Sequence, residues 1–212
     1  MKRLCRRALR WGLPTTAALA LVAWAGLEIA VRRASLPQPG PPPATPVLVD
    51  IHDRPFSRPG TEIVRDQRPV PLRDLGRWLP LATVGIEDHR FWQHHGVDWL
   101  ATSGATLRNL RNLRVISGAS TITQQTVKIL GPRTHRTLAV KAREAVAALA
   151  LERTWGKDRI LETYLNRIDY GNRRFGAEAA AQAYFGKPAA ALSLAESIFL
   201  AGIPQSPTRL NP

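Results

Sequence analysis

Thr137-Leu138-Ala139-Val140-Lys141-Ala142-Arg143-Glu144-Ala145-Val146-Ala147-Ala148-Leu149-Ala150-Leu151-Glu152-Arg153-Thr154-Trp155 reads as one long helix. Leu138, Ala142, Ala145 and Leu149 recur three and four residues apart, which predicts an apolar stripe along one face. Glu144 lies mid-helix among alanines, with Lys141 three residues away on the same face. Taken alone, that pair is an ordinary helical ion pair. Residues 157–166 and 176–185 read as two short helices. Residues 192–201 form an apolar one, capped near Ser193 and stopped by Gly202 and Pro204. The runs 160–165 and 192–200 read as core. Upstream, Pro80 suits the first turn of a helix reaching toward Phe91, with Leu81, Val84 and Ile86 among its apolar positions. The expected fold is therefore mainly α. Residues 47–51 look like a strand, and a weaker strand around 62–65 would complete a small hairpin before the helices.

The 212 residues leave room for one domain plus an appendage, and a 44% hydrophobic content supports an ordinary core. Of the net charge of +14, residues 1–33 carry seven Lys/Arg and a single acid, Glu28. Residues 11–31 are a mostly apolar run preceded by Lys2, Arg3, Arg6, Arg7 and Arg10 and closed by Arg32 and Arg33. Length and flanks predict a basic cytoplasmic tail over 1–10 and a membrane-spanning helix over 11–31. A cleaved signal peptide is the rival, because the most apolar part, 17–25, is short. Either way the remainder is exported. Residues 32–46 make a proline-rich spacer, with six prolines between 36 and 46. The domain expected to do the chemistry spans 47–212. Cys5 is the single cysteine, so the domain has no internal disulfide. The remaining positive charge fits lipid headgroups or a pyrophosphate-bearing substrate, and no nucleic-acid motif accompanies it.

Two stretches carry candidate chemistry. Ile116-Ser117-Gly118-Ala119-Ser120-Thr121-Ile122-Thr123-Gln124-Gln125 crowds small residues, hydroxyls and amides where a helix begins near Thr123. Such a segment suits a ligand rich in oxygens, or else caps the helix. In Glu87-Asp88-His89-Arg90-Phe91-Trp92-Gln93-His94-His95-Gly96, Glu87 follows Val84 and Ile86. A carboxylate in apolar surroundings has a raised pKa and suits proton transfer near neutrality. Asp88 is the better candidate for a structural acid. The three histidines lack His-Glu-x-x-His spacing, and no metal site is expected from them.

In chain order, residues 86–98, 116–125, 141–144, 157–166 and 180–187 together resemble the peptidoglycan glycosyltransferases, glycosyltransferase family 51. The resemblance covers about residues 47–212. It implies a lysozyme-like transglycosylase domain that polymerises lipid II into glycan strands. An acceptor 4-hydroxyl would attack the donor anomeric carbon with inversion, releasing undecaprenyl pyrophosphate. Glu87 then looks like the base and Glu144 like the second catalytic carboxylate, a pairing usual at sugar anomeric carbons. Asp88, His94, Ser120, Thr121, Gln125, Lys128 and Lys141 look like substrate-binding positions. Asn166, Tyr184 and Lys187 match later motifs, with a role as much architectural as contacting.

The departures from the pattern matter too. Ala119 stands where the family has a second glycine, and Arg173 and Arg174 occupy a usually glycine-rich stretch. Val140 replaces an arginine commonly paired with the motif lysine, and Arg136, one helical turn earlier, is expected to substitute. The resemblance also allows a magnesium or manganese ion on the substrate pyrophosphate. Expected partners are lipid II, the nascent strand, the bacterial inner membrane and other cell-wall synthesis proteins, with the domain on the periplasmic face. Two alternatives are a lysozyme-like hydrolase and a non-catalytic, membrane-anchored module. The chain contains no Ser-x-x-Lys or Lys-Thr-Gly, so the transpeptidase signature is missing from it.

Overall fold

Side-chain caps fix where several helices begin. In the computed structural model, which describes residues 2–38, 51–52, 69–112, 119–132, 135, 137–172 and 174–205, eight α-helices follow one another among the described residues. They are α1 (Lys2–Arg33), α2 (Trp78–Glu87), α3 (Trp99–Arg111), α4 (Ile122–Leu130), α5 (Leu138–Thr154), α6 (Lys157–Leu165), α7 (Ala177–Phe185) and α8 (Leu194–Gly202). Asp98 caps α3 by accepting from the Ala101 amide at 2.9 Å. Thr137 does the same for α5 through Val140. Thr121 with Gln124, and Ser193 with Glu196, form reciprocal capping boxes on α4 and α8. Each cap satisfies backbone donors that a helix start would otherwise leave unpaired.

α6 lies at the centre of the core. Ile160, Leu161, Tyr164 and Leu165 are each at most 1% exposed. α4 packs against both α5 and α6, and α2 packs along α8. Two polar side chains, that of Glu162 in α6 and that of Asn166 at its C-terminal cap, fasten the segment leading into α2. The Asn166 carboxamide both donates to the Val70 carbonyl and accepts from the Val70 amide, at 2.8 Å each. Glu162 accepts from the Leu72 amide at 2.8 Å. The Tyr184 hydroxyl donates to the carbonyls of Tyr170 and Gly171, and Lys187 pairs with Glu196 at 2.8 Å. The architectural reading of Asn166, Tyr184 and Lys187 fits these contacts.

Two expectations need correction, and a third lies mostly outside the described residues. The stripe Leu138, Ala142, Ala145 and Leu149 does not face the core: Leu138 is 89% exposed, and α5 instead buries Ala148, Ala150 and Leu151. Alanine covers so much of this helix that periodicity could not single out the packed face. In the run 192–200, Leu192, Ser197 and Leu200 are buried, but Leu194, Ile198 and Phe199 are exposed. Leu81 on α2 likewise faces outward. The expected hairpin falls largely on residues 47–50 and 53–68, outside the described residues.

α1 is continuous through both the basic segment and the apolar run. Among the described residues no helix is long and apolar enough to cross a membrane. Its C-terminal end docks on α5, with Val31 buried there. Glu28, the acid that interrupts the apolar run, receives a two-pronged contact from Arg153 at 2.7 and 2.9 Å and a third from Arg32 at 2.8 Å. A guanidinium fork matches a carboxylate in this way, so Glu28 has a defined partner 125 residues away.

Candidate active site

The end of α2 divides the two adjacent acids between different tasks. Leu79 and Val84 bury one face of the helix, and Glu87 is its last residue. Asp88 leaves the helical conformation with φ −160° and turns its carboxylate inward. That carboxylate is held by His94 Nε2 at 2.9 and 3.1 Å and by the Ile122 amide at 3.0 Å. Asp88 and His94 are both 7% exposed. The pair thus joins the first motif in the chain, the stretch around residues 87–96, to the start of α4 and the second motif, residues 116–125, and its two members are already bonded to each other.

Thr121 has a comparable framing position. It is 2% exposed, its hydroxyl donates to the Gly96 carbonyl at 2.6 Å, and the same oxygen caps α4. Gly96 adopts φ +89° against the backbone of Ala148 on α5. On the next turn, the Thr123 hydroxyl donates to Glu152, which also receives Lys157 Nζ at 2.7 Å. That ammonium lies 4.4 Å from the centre of the buried Phe91 ring. α2, α4, α5 and α6 are therefore tied together by polar contacts as well as packing.

Glu87, the other acid of the pair, is held differently. Its Oε2 accepts from Gln125 Nε2 at 2.8 Å, whereas Oε1 is buried without a hydrogen-bond partner. Burial pushes its pKa above the ordinary value of 4.5; the Gln125 contact opposes that rise and the Asp88 charge adds to it. Behind Gln125 stands Tyr164 of α6, whose hydroxyl donates to Gln125 Oε1 at 3.4 Å. Tyr170, also fully buried, feels the Glu87 charge and has an unpartnered hydroxyl.

The remaining expected positions are spread around this frame. Ser120 is exposed immediately before α4, and Lys128 is exposed in its last turn. On α5, Lys141 is exposed and Glu144 half-buried. No ion pair joins them among the described residues, so the ordinary helical pair is not what occupies Glu144. Arg136 and the glycine at 118 lie outside the described residues.

The donor set does not make a metal cage. Asp88 is committed to His94 and Ile122, and Glu87 shares one oxygen with Gln125. Among the described residues no group of three or more His, Cys, Asp or Glu could hold an ion. Sequence reasoning missed Tyr164 and Tyr170 beside Glu87, and the Glu152–Lys157 link. A core-like position disguised Tyr164. The Thr-x-x-Gln spacing of Thr121 and Gln124 did carry a capping signal.

Comparison with known proteins shows the family. The transglycosylase family pattern matches residues 57–212. The chain is 41% identical over 172 residues to a biosynthetic peptidoglycan transglycosylase of Rhodospirillum centenum, covering 81% of this chain and 71% of that one. It is 43% identical over 140 residues to the protein of that name from Salmonella arizonae, covering 66% and 58%. It is also 45% identical over 143 residues to penicillin-binding protein 2D of Bacillus subtilis, covering 68% of this chain. The chain spans about a fifth of that penicillin-binding protein's length and 58–71% of the two transglycosylases. With a match over most of its length and the motif acids at the meeting of α2 and α4, the chain belongs to the transglycosylase family, glycosyltransferase family 51.

Proposed function

We propose that the protein polymerises lipid II into peptidoglycan strands with Glu87 as the base. The observation that carries this reading is a buried carboxylate with one oxygen held by Gln125 and the other free. Oε1 takes the proton of the acceptor 4-hydroxyl as its oxygen attacks the donor anomeric carbon. The bond from that carbon to the pyrophosphate oxygen breaks, with inversion, and undecaprenyl pyrophosphate leaves with the electron pair. Glu144, Lys141 and Arg136 position and stabilise the departing group. Ser120, Gln125 and Lys128 line the approach, while Asp88, His94 and Thr121 hold the frame around it. A magnesium or manganese ion would be held on the substrate pyrophosphate by its phosphate oxygens together with protein carboxylates, of which Asp88 is already engaged by His94 and Ile122.

Incubation of the purified protein with lipid II tests the activity. Polymer supports it, cleaved strands would indicate a hydrolase, and no turnover would indicate a non-catalytic module. Positive charge beside a diphosphate leaving group favours transfer over hydrolysis.

The same reading puts residues 11–31 across the bacterial inner membrane, with 1–10 in the cytoplasm and the catalytic domain on the periplasmic face. The nascent strand and other cell-wall synthesis proteins are then its neighbours. Glu28 and Val31 dock on the domain, so that end of the helix belongs to its packing, whereas the fate of the part before it is what sequencing decides. N-terminal sequencing of the membrane fraction should find the unprocessed start. A mature terminus beyond residue 25 would show a cleaved signal instead.

A further inference from the structure

We infer that Tyr164 is a positioning residue that acts on Glu87 through Gln125, by fixing which end of the Gln125 amide faces the carboxylate. This rests on the reading of Glu87 as the base. A glutamine side chain has a donor end and an acceptor end of nearly equal shape. Only the donor end serves an ionised carboxylate, so Nε2 must face Glu87, where it lies 2.8 Å from Oε2. The acceptor end then needs a donor of its own. Tyr164 supplies one, its hydroxyl 3.4 Å from Oε1.

Packing does not explain that hydroxyl. Tyr164 is 1% exposed on the same helix as the fully buried Ile160, Leu161 and Leu165, where a phenylalanine would fill similar space. Burying a hydroxyl costs free energy unless it is hydrogen-bonded, so its presence calls for a polar task. Burial and the Glu87 charge both hold the phenol in its protonated form, which keeps it a donor. Gln125 itself is half-buried and has rotamer freedom to lose. Clamped from α6, its amide stays aimed at α2. The clamp also leaves Glu87 Oε1 as the oxygen without a partner, the one available to an incoming hydroxyl.

Tyr164→Phe should lower kcat roughly two- to tenfold, the worth of one neutral hydrogen bond, with little change in KM. The acid limb of its pH–rate profile should move to higher pH. The sign follows from Gln125: its donated bond favours the ionised carboxylate, so loosening it raises the Glu87 pKa. A structural role alone would move neither the limb nor its position. Added to Gln125→Ala, the same substitution should cause no further loss, because the link it works through is already gone. An unshifted acid limb, or an equal fractional loss in both backgrounds, would overturn the inference. Activity in Glu87→Gln would instead overturn the base assignment, so the two failures are distinguishable.

Discussion

Glu87→Gln should cut strand formation from lipid II by at least about a hundredfold, the range over which general-base catalysis contributes. The amide keeps the shape of the side chain and can still accept from Gln125, but it cannot take the acceptor's proton. Folding should survive and improve slightly at neutral pH. The sign comes from the raised pKa. A carboxyl whose folded pKa lies above its unfolded value binds its proton more tightly in the native state. It therefore opposes folding once the pH rises past that folded pKa, and a neutral amide relieves the opposition. In the wild-type protein the rate should fall as pH drops through a pKa above the ordinary 4.5. Thermal unfolding at pH 7 beside a polymerisation assay checks both halves. A mutant that polymerises at the wild-type rate would remove Glu87 as the base.

The settings of Glu87 and Asp88 were legible only in part: Val84 and Ile86 mark Glu87 as lying in apolar surroundings, but the helix expected to reach toward Phe91 ends at Glu87, and the inward turn of Asp88 was not readable. Ser193 and Thr137 were legible as helix starts for a local reason: a cap needs only an oxygen and an amide three residues on. The face of α5 was not legible. An alanine-rich helix offers nearly the same surface on several sides, and only its neighbours select Ala148 and Leu151 for burial. Long-range polar pairs were equally hidden. Nothing near Glu28 points to Arg153, and nothing near Tyr164 points to Gln125. The hydroxyls and amides of the second motif were read chiefly as ligand groups, yet Thr121 and Gln124 spend theirs on a capping box. A motif can be recognised for its chemistry while half of its polar atoms hold the frame.

Gly96 makes that frame sensitive to a single methyl group. It sits at φ +89°, a region that side chains avoid, and a Cβ there would lie 2.6 Å from the Ala148 carbonyl oxygen and 2.8 Å from the Leu149 nitrogen. These are backbone atoms inside α5, so no rotamer change can make room. The Gly96 carbonyl is also the acceptor of the Thr121 hydroxyl at 2.6 Å. One residue therefore sets the spacing between the first motif, the start of α4 and the helix that carries Glu144. Gly96→Ala should destabilise the domain by about 2–6 kcal/mol, combining a strained backbone with an overpacked contact. The expected fall in Tm is on the order of 5–20 °C for a domain of this size. Polymerisation should decline with it, in contrast to Glu87→Gln, where activity goes and the fold stays. Trimming Ala148 to glycine in the same chain should not restore stability, because the colliding atoms belong to the main chain. A Gly96→Ala protein that unfolds at the wild-type temperature, or one rescued by Ala148→Gly, would show that α5 does not bear on the first motif in this way.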